Sequence, residues 1–122
     1  MNHAAVPQAY QESAVLTATP ERLVVMLYDG AHRFLFQAAV AMREGNIEVT
    51  NNRLQRAEAI IDELNATLDM SAGEVAERLR AIYLYCRRHL LQARLKRSAE
   101  MIDDVDRLLD TVGDAWRQIA GG

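Results

Sequence analysis

Two side chains on one predicted helix, Cys86 and His89, have the types and spacing that could do chemistry. A thiolate and an imidazole three residues apart share one face of a helix, and both are common zinc ligands. The other histidines, His3 and His32, lie far away in the sequence. Cys86 also falls on an apolar stripe, where a thiol packs as a small hydrophobic group. We therefore predict no metal site and no cofactor.

His89 also supports a second hypothesis, phosphoryl transfer through its imidazole. The sequence His89-Leu90-Leu91-Gln92-Ala93 resembles the pattern of small four-helix histidine phosphotransfer proteins, in which an exposed histidine precedes leucine, lysine and glycine. Gln92 replaces the lysine that would offset the phosphate charge, and Ala93 replaces the glycine that lets a partner approach. Both departures weaken that mechanism, so a histidine phosphotransfer-like module is kept as the alternative function.

A basic run between residues 87 and 97 could indicate nucleic-acid binding. The run has no interleaved aromatic or glycine residues, and a strongly acidic helix follows it. The net charge of −3 gives no general attraction to nucleic acid or to an anionic membrane. The sequence also lacks a glycine-rich phosphate loop. We predict a protein that is not an enzyme, has no catalytic residues, and has no nucleic-acid partner.

The chain length of 122 residues suits one domain with one sizeable core. Half of its residues are apolar, and its single cysteine excludes an intrachain disulfide and fits a reducing compartment. No apolar run approaches the roughly 18 residues that a membrane span needs, and the N-terminus has no signal-peptide core. We therefore predict a cytoplasmic protein that does not insert into a membrane.

The most apolar element is a predicted helix between Thr19 and Gly45. Thr19 can cap its start, Pro20 suits the first helical position, and Gly45 can form the left-handed turn that ends it. Two adjacent apolar stripes cover most of its surface, and few positions form a polar seam. A helix that is apolar nearly all round is either buried or binds a partner as well. One stripe comprises Leu23, Leu27, Ala31, Phe34, Ala38 and Ala41, and the other comprises Val24, Tyr28, Leu35, Ala39 and Met42.

Three further helices follow, so that predicted helices span about 20–44, 48–70, 72–97 and 99–120. Asn46 is a good cap residue before the second helix, Ser71 to Glu74 fits a capping box for the third helix, and Ser98 can cap the fourth. Short connections favour antiparallel neighbours. We predict an all-α fold, an antiparallel up-down four-helix bundle over residues 19–122, with an N-terminal arm or short extra helix over residues 1–18. The fourth helix has a heptad core seam, namely Ile102, Val105, Leu109, Val112, Trp116 and Ile119.

Charge suggests how the last two helices pair. The end of the third helix is basic and the fourth helix is acidic, so we expect these faces to lie against each other. Surface pairs of this kind contribute only about 0–1 kcal/mol each. The basic set comprises Arg87, Arg88, Arg94, Lys96 and Arg97, and the acidic set comprises Asp103, Asp104, Asp106, Asp110 and Asp114.

Eight short segments between Ala9-Tyr10 and Trp116 are spaced along nearly the whole chain as in one known family. They include T-A-x-P-E-x-L at 17–23, M-L-Y-D-G-A at 26–31, E-G-N-I at 44–47, N-x-x-x-x-A at 52–57, I-I-x-E-L-x-x-x-L-D at 60–69, G-E-x-A-x-x-L at 73–79, I-Y-x-Y at 82–85 and L-L-x-x-x-x-x-x-W at 108–116. With them the chain resembles the FliS family of flagellin-specific export chaperones. One departure is Arg94, where the family often has asparagine, which puts the polar contact usually made there in doubt.

The resemblance implies an export chaperone that binds the disordered C-terminal segment of flagellin. Such binding prevents premature polymerisation in the cytoplasm and assists flagellar type III export, with the export apparatus or other flagellar regulators as further partners. We also expect the arm around Tyr10 to cover the binding groove in the free protein. The implied partner-binding residues are Tyr10, Leu27, Tyr28, Ala31, Leu35, Ala57, Ile61, Leu64, Tyr83 and Leu90. Among them, Tyr10, Tyr28 and Tyr83 are expected to be the least core-like, because their hydroxyls need water or a partner.

Overall fold

A computed structural model describes residues 17–121 of the chain, and all of its regular structure is helical within that range. The helices are α1 (Pro20–Arg43), α2 (Ile47–Ala66), α3 (Glu74–Lys96) and α4 (Ala99–Ile119), with a 3-10 helix (Met70–Ala72) before α3. α1 packs closely against α2 and α4, and α3 packs between α2 and α4 on the opposite side. The prediction of an all-α helical bundle is confirmed. Within residues 17–121, no helix is long and apolar enough to span a membrane.

Side-chain caps define where three of the four helices begin. The Thr19 hydroxyl accepts a hydrogen bond from the backbone N–H of Arg22, and Asn46 caps α2 in the same way. Ser98 caps α4 by accepting from the backbone N–H of Met101. These contacts satisfy backbone N–H groups that have no partner within the helix. The local sequence therefore predicts these three starts correctly.

The connection between α2 and α3 differs from the prediction. α2 ends at Ala66, four residues before the expected position near 70, and the Thr67 hydroxyl donates to the Leu64 carbonyl at 2.8 Å. Ser71 does not cap α3; its backbone N–H and its hydroxyl donate to the Asp69 carboxylate, at 3.0 and 2.5 Å. Gly73 precedes α3 with a φ of 77° and provides no side-chain cap. The predicted capping box is therefore wrong, because Gly73 occupies the N-cap position of α3 and Ser71 lies two residues earlier, within the 3-10 helix.

The core lies where α1, α2, α3 and α4 meet and contains aliphatic, alanine and tyrosine side chains. α1 approaches its neighbours through small residues, and Gly113 on α4 faces the Tyr28 side chain so closely that an added Cβ would lie 3.3 Å from it. The first three residues of the predicted heptad seam of α4, Ile102, Val105 and Leu109, are buried as predicted. Its last member, Ile119, is 66% exposed because it lies in the final turn. The fully enclosed side chains include Leu35, Leu54, Ile61, Leu64, Leu90, Ile102 and Val105.

The predicted charge pairing between α3 and α4 is wrong. Arg94 on α3 instead forms a two-pronged ion pair with Glu58 of α2, at 2.6 and 3.2 Å. Arg87 lies 3.3 Å from the same carboxylate and 2.9 Å from Asp62. Arg87 and Arg94 are seven residues apart, so both lie on the side of α3 that faces α2. Glu58, which the pattern places on the solvent side, is buried with its charge neutralised by these arginines.

Three ion pairs of the acidic α4 residues lie within α4 itself, and two others reach α1. Asp106 lies 2.8 Å from His32, and Asp103 lies 2.6 Å from Arg43. In residues 17–121 the one side-chain hydrogen bond between α3 and α4 joins His89 to Asp104, at 3.3 Å. The ion pairs between helices therefore connect α3 to α2 and α4 to α1. The distribution of charge along the sequence does not by itself predict which helices are paired.

Candidate functional site

An apolar groove of about 470 Å³ opens at one end of the bundle, and we name it the end groove. It lies where the start of α1, the end of α2, the 3-10 helix, the start of α3 and the end of α4 come together. Its walls are almost entirely apolar, which is typical of a site for an apolar partner surface. The lining residues are Pro20, Leu23, Val24, Leu27, Leu64, Thr67, Leu68, Asp69, Ala72, Val75, Ala76, Leu79, Tyr83 and Trp116.

The turn between α2 and α3 forms one wall of the end groove. Asp69 lies on this wall, and the hydrogen bonds donated by Ser71 lower the pKa of its carboxyl group below the usual value. Ala72 follows within the 3-10 helix, and the positive φ of Gly73 turns the chain into α3. The early end of α2 therefore places a short, tightly hydrogen-bonded turn at the groove, with one fixed carboxylate among apolar side chains.

Three of the residues implied by the family resemblance line the end groove: Leu27, Leu64 and Tyr83. They come from α1, α2 and α3, so the fold brings together positions that are distant in sequence. Leu27 is half-buried, whereas Leu64 and Tyr83 are nearly enclosed and form the deeper part of the groove. Their contact with a partner stays a prediction.

Most of the remaining implied residues lie in the bundle core instead. Each is at most 2% exposed, as Leu64 and Tyr83 also are, but unlike those two none of them lines the end groove. Tyr10 lies outside the described residues. The core set comprises Tyr28, Ala31, Leu35, Ala57, Ile61 and Leu90.

The expectation that Tyr28 and Tyr83 are less core-like than the others is wrong. Both are buried, and their hydroxyls satisfy each other through a hydrogen bond of 2.5 Å. Burial raises the pKa of both phenols above the ordinary value, and it raises the pKa of the nearby Cys86 thiol to about 12. All three groups are therefore uncharged at neutral pH, as their apolar surroundings require.

The tyrosine pair connects the end groove to the core. Tyr83 lines the groove and bonds to Tyr28, and Tyr28 packs against the glycine surface of α4 at Gly113. Because Tyr28 is held on both sides, it fixes the position of the Tyr83 ring at the base of the groove. A rigid base lowers the entropy cost of binding, since the groove needs little ordering when a partner arrives.

Sequence reasoning missed several residues that line the end groove. Val75 is 67% exposed and Leu23 is 36% exposed, although both are aliphatic. Trp116, assigned to the core seam of α4, is half-buried and lines the same groove. Position within the helix is the signal that could have identified them. All three lie in the first or last turns of their helices, where the end of a bundle leaves apolar side chains partly exposed.

The geometry around His89 does not favour phosphoryl transfer. The side chain is only 19% exposed, its Nε2 lies 3.3 Å from Asp104, and its ring stacks on Tyr85 at 5.2 Å. A phosphorylated histidine needs an approachable nitrogen, whereas this imidazole faces a carboxylate that would repel phosphate. In the part of the chain that the structure describes, no group of three metal-ligating side chains could hold an ion.

Comparison with known proteins gives one consistent result. A sequence model of the family described as flagellar protein FliS matches residues 1–122. The chain is 40% identical over 118 residues to the flagellar secretion chaperone FliS of Salmonella typhimurium, covering 95% of this chain and 87% of that protein. It is 39% identical over 110 residues to the protein of the same name from Bacillus subtilis, covering 90% of this chain and 82% of that protein.

Proposed function

The chain belongs to the FliS family of flagellar secretion chaperones, and we propose that its end groove binds the disordered C-terminal segment of flagellin. The observation that supports this proposal is the size and apolar lining of the groove. An amphipathic segment that is disordered in solution can form a helix and insert its apolar face into such a groove. The protein would then act by binding alone, without catalysis or a cofactor.

Burial of apolar surface would provide most of the binding free energy. Each aliphatic side chain that becomes fully covered contributes about 1.5–3 kcal/mol. Ordering a disordered segment costs about 2–5 kcal/mol or more, which leaves a moderate affinity from a broad contact. Moderate affinity suits a chaperone, because the cargo has to be released at the export apparatus.

We infer that this complex forms in the cytoplasm and prevents premature flagellin polymerisation. A segment held as a helix in the groove is not available for assembly contacts with other flagellin subunits. The flagellar type III export apparatus would receive the complex, and other flagellar regulators are further candidate partners. The match to secretion chaperones supports this cellular role.

The geometry divides the implied binding residues into two roles. We propose that Leu27 contacts the flagellin segment directly and that Leu64 and Tyr83, which are nearly enclosed, form the base of the end groove beneath it. The buried residues, such as Tyr28 and Leu35, would support the groove from behind. Direct contacts at these buried positions would require the helices to separate, which is a larger change than groove binding needs.

The test is a titration of the full chain with a peptide that covers the C-terminal segment of flagellin from the same organism. Calorimetry should show binding with a negative heat-capacity change, and far-UV circular dichroism should show a gain of helix. Val75→Glu should weaken binding by about tenfold, since Val75 lines the groove and a carboxylate resists burial. Ile119→Glu is the matched control, because Ile119 is equally exposed but does not line the groove. Equal losses for the two variants would contradict the proposal.

A further inference from the structure

α3 has a second apolar line that faces away from the bundle. Its inward side buries Tyr83, Cys86 and Leu90, as a bundle helix requires. On the opposite side, residues repeat at spacings of three, four, three and four, which is the spacing of a coiled-coil contact. The leucines of this line are 40%, 52% and 71% exposed, in chain order. We name this line the outer seam, and it comprises Ala81, Leu84, Arg88, Leu91 and Leu95.

The charges around the outer seam are all positive. No acidic residue occurs between Glu77 and Glu100 in the sequence. Arg88 lies within the seam, and Arg80 and Lys96 lie beside it. These three side chains are exposed, and none has an ion pair with another described residue. On the side of α3 that faces α2, by contrast, Arg87 and Arg94 are neutralised by carboxylates. Positive charge is therefore left unbalanced at Arg80, Arg88 and Lys96, within and beside the outer seam.

A pocket of about 340 Å³ continues the outer seam at the end of α3. Leu95 belongs to both the seam and the pocket, and Ile47, which is 54% exposed, lines the pocket from the start of α2. Arg97 closes α3 in a left-handed conformation and contributes a further positive charge to the pocket. We name this space the Arg97 pocket. Leucines, unpaired cations and a terminal pocket with both apolar and polar lining residues thus form one continuous surface.

We propose that the outer seam and the Arg97 pocket form a second docking surface, which binds an amphipathic protein helix with acidic flanks. A helix with its own heptad seam can pack along the leucines, and acidic residues beside that seam can pair with Arg80, Arg88 and Lys96. The surface shares no lining residue with the end groove. The chaperone can therefore hold this second helix while a cargo segment occupies the groove.

The same charges argue against two other occupants. A second copy of the chain packed antiparallel through the outer seam would place Arg88 near the Arg88 of the other copy, with no acidic seam residue to balance them. An anionic lipid surface would have to approach a chain whose net charge is −3 and whose neighbouring helices carry exposed carboxylates such as Asp62 and Asp104. A single acidic helix packed along α3 does not have to cover the neighbouring helices, as a lipid surface would.

The test uses two designed peptides of three heptads each. Both have leucine at the two seam positions; one has glutamate at the flanking positions and the other has lysine. We expect the full chain to bind the glutamate peptide at micromolar concentration and the lysine peptide at least tenfold more weakly. The affinity for the glutamate peptide should fall as the salt concentration rises. Equal affinities for the two peptides would overturn the proposal.

Variants locate the binding surface. Arg88→Glu, and the double variant Leu91→Ser with Leu95→Ser, should each weaken binding of the glutamate peptide by at least tenfold. Arg22→Glu is the charge control, because Arg22 is exposed on α1, whereas the outer seam lies on α3. All of these positions are at the surface, and circular dichroism should show that the variants fold. Unchanged binding in the seam variants would overturn the proposal.

Three other outcomes would assign the surface differently and would also overturn the proposal. Sedimentation could show a dimer that Leu91→Ser dissociates, which would make the seam a contact between copies. Flagellin peptide could compete with the glutamate peptide, which would make the seam part of the cargo site. Vesicles with anionic lipid could bind more tightly than the peptide. Cargo binding is measured separately, so failure here leaves the proposed function of the end groove standing.

Discussion

The helices α1 and α3 lie on opposite sides of the bundle and use their apolar residues in different ways. α1 buries alanine and leucine side chains against two close neighbours, and its long apolar stripes serve mainly the core. α3 buries fewer positions, packs less closely, and exposes leucines along its outer seam. The helix that looks most like a binding surface in sequence is therefore mainly an internal support, and exposed apolar surface remains on α3, at the bundle end and at Phe36 and Val40 of α1.

The largest expected difference between the two helices is in stability. Leu35→Ala on α1 should lower the free energy of unfolding by about 2–5 kcal/mol, because Leu35 is fully buried and its loss leaves a cavity. Leu91→Ala on α3 should change it by less than about 0.5 kcal/mol, since Leu91 is half exposed. Urea denaturation of both variants measures the contrast. Similar losses at the two positions would show that the outer seam is part of the folded core.

Removal of the ion pair between α3 and α2 is expected to cause the next largest loss of stability. Arg94→Ala should lower the free energy of unfolding by about 1–3 kcal/mol, because it leaves the buried Glu58 carboxylate with only the more distant Arg87. The double variant Glu58→Gln with Arg94→Ala should recover part of that loss, since no buried charge then remains. Urea denaturation of the single and double variants would measure the coupling. If the two substitutions lowered the free energy of unfolding additively, the ion pair would not hold α3 to α2.

The close packing of α1 against α2 and α4 predicts smaller changes in stability when Gly30 or Gly113 is replaced by alanine. Gly113→Ala should destabilise the protein by about 1 kcal/mol, because the new Cβ would meet the Cβ and ring of Tyr28, which cannot move easily. Gly30→Ala should be close to neutral, since its Cβ would meet only the end of the flexible Ile60 side chain, and alanine favours a helix. Thermal unfolding compares the two. A stable Gly113→Ala variant would show that the contact between α1 and α4 is looser than described.

Local signals in the sequence predicted most of the fold. Thr19, Asn46 and Ser98 are caps, and each depends only on residues within one helical turn. The heptad spacing also predicted which face of α4 is buried, at Ile102, Val105 and Leu109. The partners of the charged side chains could not be predicted, because Arg87 and Arg94 can turn to either neighbour, and that choice depends on the position of Glu58 in three dimensions.

The candidate site was harder to predict than the fold. Leu27, Leu64 and Tyr83 were implied by the family resemblance, but nothing in their spacing separates groove from core. The end groove exists because α2 ends at Ala66 and a short turn follows, so its shape depends on where several helices stop. Exposed aliphatic residues in terminal turns, such as Val75, are the sequence feature that best indicates such a groove.

Hydrogen exchange of the full chain, with and without the flagellin C-terminal peptide, tests the central claim most directly. If the end groove holds the segment, the peptide should slow exchange in the first turns of α1, in residues 67–79, and in the α4 turn that contains Trp116. Exchange around Phe36 and Val40, which are exposed on α1 but far along the chain from the groove residues, should not change. Protection centred on Phe36 and Val40, with none in residues 67–79, would contradict the assignment of the groove as the cargo site.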